Sequence, residues 1–232
     1  MSIVTLLHGS EQIVEIPTLA FRNDHNDYGR GFYCTKAEEM AKEWACKNGQ
    51  DGFMNRYTLD DEGLKTLYLS DGTHTVLNWI AILLKHRTFS LSFPIAVEAR
   101  EYIIEHYAID TSDYDLITGY RADDSYFRYA ESFVENTLPL RSLNKALQLG
   151  KLGLQTVLVS PKAFEQIKFV DAVPVDKTIY YPKFVARDTK ARRTYKEEIV
   201  KSKTYLDDIF VLDILREEMQ NDDPRIQRIL LE

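Results

Sequence analysis

The 232-residue chain sets 29 Lys and Arg against 36 Asp and Glu, a formal charge of -7, and 44% of its residues are apolar. A chain of this length buries roughly 70% of its unfolded surface, enough for one ordinary domain with an appendage or at most two small domains, and its composition excludes a disordered polymer. The acidic balance argues against general coating of nucleic acid or of anionic membranes, because both reward a basic surface.

Cys34 and Cys46 are the only cysteines, and no secretory pattern opens the sequence, so a reduced cytoplasmic compartment and a soluble protein are expected. The apolar run from Val76 to Leu84 is interrupted by Asn78 and falls far short of the roughly twenty residues that span a bilayer. His25, His74, His86 and His106 show no mutual spacing that suggests a metal.

Ile3 to Leu7 is β-branched and aliphatic and closes on His8-Gly9-Ser10, which reads as a buried strand ending in a turn. Glu11 to Asp27 ends in the polar cluster Arg22-Asn23-Asp24-His25-Asn26-Asp27 and reads as an irregular loop. Tyr28-Gly29-Arg30-Gly31-Phe32-Tyr33 follows, a turn and strand with glycines beside aromatic rings, a composition that suits close approach of backbone to a flat ligand. Thr35 and Glu38 predict a capping box opening a helix to about Lys47, with Ala37, Met40, Ala41, Trp44 and Ala45 on one face.

Arg56 to Asp60 and Lys65 to Ser70 predict two strands joined by the turn Asp60-Asp61-Glu62-Gly63. Helices are expected from Thr75 to His86 and from Pro94 to His106, then a strand from Tyr114 to Gly119. The polar turn at Arg121-Ala122-Asp123-Asp124-Ser125 caps a helix to about Phe133, and Leu140 to Leu149 is a further helix. Leu154 to Val159 reads as a mostly buried strand with Gln155 near its start, and Ser160-Pro161 opens a short helix. Phe169 to Val175 and Thr178 to Tyr181 are the last expected strands. Beyond Pro182 come the basic cluster Arg187, Lys190, Arg192, Arg193 and Lys196, then an acidic, aliphatic, helix-like tail. The cluster reads either as a solvated helix face or as a surface that docks an anionic target or partner.

Three of these pieces, in this order, resemble the NAD pocket of the diphtheria-toxin and poly(ADP-ribose) polymerase branch of ADP-ribosyltransferases. They are His8-Gly9-Ser10, then Tyr28 to Tyr33, then the aromatic Trp44 on the following helix. The sequence is more similar still to an uncharacterised group of bacterial toxin-like domains, over residues up to about Val170. The resemblance implies an α+β, ADP-ribosyltransferase-like split β-sheet with helices, spanning 1–175, followed by a C-terminal extension over 176–232. It implies NAD as co-substrate, held by His8, Gly9 and Ser10, with Gly31 and the ring of Tyr33 on one side of the nicotinamide and Trp44 on the other. A serine common in that branch falls at Ala41.

That branch carries a catalytic glutamate at the start of a late strand, and Gln155 holds the matching position here. Loss of nicotinamide passes through a cation-like ribosyl centre, so a carboxylate stabilises charge that exists only in the transition state. An amide offers a dipole instead, at a cost on the order of 3 kcal/mol. Asp123 and Asp124 are the acids that the sequence offers in its place, beside their ordinary reading as helix-capping residues. Two functions follow: ADP-ribosyl transfer to a protein or nucleic-acid acceptor with release of nicotinamide, or an NAD- or ADP-ribose-binding or partner-binding module that turns over weakly or not at all. The toxin-like resemblance further implies a neutralising protein partner.

Overall fold

A computed structural model describes residues 3–19, 25–89, 91, 93–122, 124–149, 153–201 and 205–229. Within them the chain is an α+β protein with one seven-stranded mixed sheet and nine helices. The sheet order is β4-β5-β6-β2-β1-β3-β7, from strands β1 (Ile3–Ser10), β2 (Phe32–Thr35), β3 (Gly52–Asp60), β4 (Thr66–Tyr68), β5 (Leu116–Tyr120), β6 (Leu154–Leu158) and β7 (Ile167–Val175). Only β4 and β5 run parallel; every other neighbouring pair is antiparallel.

The sheet is nearly divided in its middle. β1 pairs with β3 along its whole length, from Ile3 opposite Asp60 to Ser10 opposite Phe53, but it meets β2 only where Leu7 faces Thr35. β2 in turn pairs fully with β6, Phe32 opposite Leu158 through Thr35 opposite Gln155. The two halves, β4-β5-β6-β2 and β1-β3-β7, therefore diverge from a single point of contact and leave a cleft between the end of β1 and the start of β2.

Helix α1 (Glu38–Ala45) lies against β1 and buries Met40, Ala41, Trp44 and Ala45, the apolar face expected from their spacing, while Ala37 stays exposed at the N-cap. The expected capping box does not form. Thr35 is the last residue of β2, and its hydroxyl donates to the Leu154 carbonyl and accepts from the Ala37 N–H, so α1 begins later. Helix α2 (Val76–His86) buries Val76 through Leu84, and a helix without a polar side is a central one. Its first turn is held by Asn78, whose Oδ1 accepts from the Thr75 N–H at 2.8 Å. Helices α3 (Pro94–Tyr107), α4 (Asp124–Val134) and α5 (Leu140–Leu149) surround α2 and complete the larger core.

Two expectations about strands fail, each for a local reason. β3 and β4 are not partners across their acidic turn, because β4 crosses to the far edge and pairs with β5, where the Asp115 carboxylate accepts from the Lys65 N–H at 2.8 Å. Thr178 to Tyr181 is not a strand but the first turn of helix α7 (Lys177–Lys201). Asp176 caps that turn, its Oδ1 accepting from both the N–H and the hydroxyl of Thr178 at 2.7 Å, and local capping overrides the β-branched and aromatic composition.

A short helix, α6 (Pro161–Gln166), joins β6 to β7 and is capped by Ser160. The segments beyond β7 join the rest of the molecule at two places. Helix α7 lies on α1, tied by Arg187 to Glu43 and by Lys183 to Glu39, both at 2.6 Å. Helices α8 (Val211–Arg216) and α9 (Pro224–Gln227) put Val211, Ile214 and Ile226 into the same core as α2. Arg187 is thus spent on an internal ion pair and does not belong to a solvated basic face.

Candidate functional site: a cleft between the sheet halves

The cleft has a volume of about 460 Å³, within the usual range for a small-molecule site. His8 and Gly9 from β1, Gly31, Phe32 and Tyr33 around the start of β2, Trp44 from α1 and Gln155 from β6 all line it. These residues were singled out from distant stretches of sequence, apart from Phe32, and the near-split of the sheet brings them to one place.

His8 is oriented by its neighbour strand. Its Nδ1 lies 2.7 Å from the Tyr33 carbonyl, which can only accept, so the proton sits on Nδ1 and Nε2 is left as an acceptor. Burial holds the imidazole below its ordinary pKa and so in this neutral form, and its ring tilts over Phe32 at 4.5 Å. Tyr33 is held at its far end: its hydroxyl donates to the Gly29 carbonyl at 2.7 Å and accepts from the Tyr28 N–H at 3.1 Å. Burial pushes that phenol far above its usual range, so it acts only as a neutral hydrogen-bonding group.

The glycines serve protein packing. A Cβ on Gly9 would overlap the Ala41 carbonyl and come within 2.6 Å of the Ala45 nitrogen, so only glycine lets β1 lie flat on α1. Gly31 is packed the same way against Val157 and Leu158. Ala41 is buried beneath Gly9 and does not reach the cleft. Ser10 is also turned away from it; its hydroxyl donates to the Gln12 carbonyl and accepts from the Asn55 amide at 3.0 Å, which anchors the following loop. Trp44 offers its ring to the cleft, with the Arg121 guanidinium 4.7 Å from its centre and its buried Nε1–H without a protein acceptor among the described residues.

Asp123 lies outside the described residues, as does the side chain of Asp124, whose backbone opens α4. A different acid, in the loop before Tyr28, stands in the cleft. Asp27 is buried there and its Oδ2 accepts from the Ala122 N–H at 2.8 Å and from the Gln155 amide at 3.0 Å. Arg87 approaches its Oδ1 at 3.8 Å. Burial raises the Asp27 pKa, opposed by Arg87 and by the two hydrogen bonds. In the sequence Asp27 was one of six polar loop residues; nothing in its spacing distinguishes it, because its partners come from β6 and from the end of β5. Lys47, Arg87, Arg121, Phe184 and Asp188 complete the walls and were also missed. The last two lie on α7, so the C-terminal segment forms part of the site.

The fold and site thus define an α+β protein with a half-buried, aromatic and cationic cleft at the division of its sheet. The chain belongs to a family of proteins of unknown function, DUF3990, whose model matches residues 4–169. Neither the curated proteins nor the solved structures contain a match. Among the described residues no group of His, Cys, Asp and Glu is arranged to hold a metal ion, and no helix is long and apolar enough to cross a membrane.

Proposed function

We propose that the protein is an NAD-dependent ADP-ribosyltransferase, built on an ADP-ribosyltransferase-like split sheet, that moves ADP-ribose from NAD to a macromolecular acceptor. The observation that carries the reading is the convergence of His8, Tyr33, Trp44 and Gln155 on one cleft, from β1, β2, α1 and β6. The residues present fit a dinucleotide. Two large rings flank the cleft, a neutral imidazole offers an acceptor for a ribose hydroxyl, and Lys47, Arg87 and Arg121 supply positive charge for a pyrophosphate.

In the reaction the bond between the nicotinamide nitrogen and the ribose C1′ breaks, and its electron pair leaves with nicotinamide as a neutral base. A lone pair of the acceptor forms the new bond to C1′ and the acceptor's proton is released; with water, the products are nicotinamide, ADP-ribose and one proton. His8, locked by the Tyr33 carbonyl, fixes the ribose, and Tyr33 and Trp44 hold the leaving ring between them. Positioning of this kind converts binding energy into rate.

Nicotinamide release from NAD, followed chromatographically with the purified chain, tests the reading. His8→Ala is expected to lower NAD affinity at least tenfold and to abolish release. Unchanged release by that variant overturns the assignment. Binding of NAD without release, even with cell extract as a source of acceptor, supports the second reading, an NAD-binding module without turnover, which the amide at position 155 favours.

A further inference from the structure

The carboxylate that the chemistry asks for is missing at position 155, yet a carboxylate is bonded to the residue that replaces it. An ionised Asp27 can only accept hydrogen bonds, so Gln155 must present its NH2 group to Asp27 and direct its oxygen elsewhere. Gln155 lines the cleft, and its side chain is hydrogen-bonded to the Tyr28 hydroxyl as well as to Asp27. Asp27 is fixed just as firmly. Its Oδ2 is held by Ala122 and Gln155, and the next residue, Tyr28, is pinned through its N–H to Tyr33 and through its hydroxyl to the Tyr120 carbonyl at 2.6 Å.

Resting on the proposed transferase reading, we infer that Asp27 and Gln155 form one unit that does the work of a single glutamate. Asp27 supplies the negative charge and Gln155, oriented by it, supplies the oxygen that accepts from a ribose hydroxyl. Gln155 is then the group that touches substrate, and Asp27 is a positioning and charge-supplying residue behind it. Preorganisation makes this effective: the charge is held before the ribosyl cation develops, by groups on β2, β5 and β6 that need not move.

The charge-exchanged pair tests this. Four proteins are compared in single-turnover nicotinamide release and in NAD binding by calorimetry: wild type, Asp27→Asn, Gln155→Glu, and the double variant Asp27→Asn with Gln155→Glu. Asp27→Asn is expected to slow release about a hundredfold while NAD affinity stays within about threefold. Gln155→Glu alone brings two carboxylates into hydrogen-bond range, so one keeps a proton and the rate stays within about tenfold of wild type. The double variant restores one charge with one amide and recovers release to within about tenfold of wild type.

A double variant no faster than Asp27→Asn overturns the unit, and so does Asp27→Asn at the wild-type rate beside a dead His8→Ala. Wild-type binding of NAD without release also overturns it while leaving NAD recognition standing. No NAD binding by the wild type overturns the transferase reading and the inference with it. Retained NAD affinity and an unchanged melting transition in Asp27→Asn separate lost chemistry from lost folding.

Discussion

On the β1 side of the cleft, His8, Gly9 and Trp44 are held by close packing: strand lies on helix with no room for a single methyl group, and the His8 imidazole is oriented by the Tyr33 carbonyl. On the opposite side Asp27, Gln155, Arg87 and Arg121 are held by hydrogen bonds and charge, with Asp27 as the shared partner of Ala122, Gln155 and Arg87. The first wall is apolar in its support, and burial keeps its imidazole, His8, neutral. The second carries the charge, and each of its groups depends on its neighbours being in the correct protonation state. Under the proposed transferase reading, this division serves a site that holds a flat ring and meets a developing cation.

The packed wall is most sensitive at Gly9. Gly9→Ala forces α1 away from β1, and since the atoms in the way are backbone, the strain cannot be relieved by a rotamer change. Destabilisation of about 3 kcal/mol is expected in urea unfolding, with loss of the Trp44 ring position and of NAD binding. A variant of wild-type stability would show that the packed wall tolerates displacement.

Tyr33→Phe joins the two walls in one test. The ring stays, but the hydroxyl that ties Gly29 and Tyr28 is lost, and the loop bearing Asp27 slackens. About 1 to 2 kcal/mol of stability should disappear, with kcat for nicotinamide release falling more than KM rises. Equal changes in both would assign Tyr33 to binding alone.

The smallest effect is the pH dependence of the charged wall. The Asp27 pKa is raised from the ordinary 3.8 by burial, so between that value and its own the folded chain holds a proton that the unfolded chain has lost. Stability from this group is therefore complete below the unfolded value and is lost as pH rises through the folded one. His8 is shifted the other way, and its contribution is lost as pH falls below 6.5. Thermal melts of wild type and Asp27→Asn from pH 4 to 8 separate the two: the wild-type margin over the variant is expected to shrink as pH rises, and a margin independent of pH would place Asp27 in a more solvated setting than the cleft implies.

Much of the scaffold was legible because its signals are local. The spacing of Met40, Ala41, Trp44 and Ala45 sets the buried face of α1, the apolar run from Val76 to Leu84, interrupted only at Asn78, makes α2 a central helix, and Ser160-Pro161 opens α6 where expected. Legibility failed where a side chain competed for backbone groups, as with Thr35, which serves β2 and the Ala37 N–H instead of capping α1, and with Asp176, which turns Thr178 to Tyr181 into helix.

The site divides along the same line as its walls. His8, Gly9, Tyr33 and Trp44 could be named from sequence because the resemblance to ADP-ribosyltransferases is carried by short stretches, glycines beside imidazole and aromatic groups at strand ends and one ring on the following helix. Asp27 could not: a carboxylate in a polar loop acquires meaning only when β6 delivers an amide to it, the end of β5 a backbone N–H, and α2 the neighbouring Arg87. The sequence by itself determined the helices behind the aromatic wall, since those follow from periodicity within a few residues, and the rings of that wall were pointed to by the resemblance its short motifs carry. Tertiary structure alone decided where the charge sits, because the position and ionisation of a buried acid are set by partners far apart in the chain.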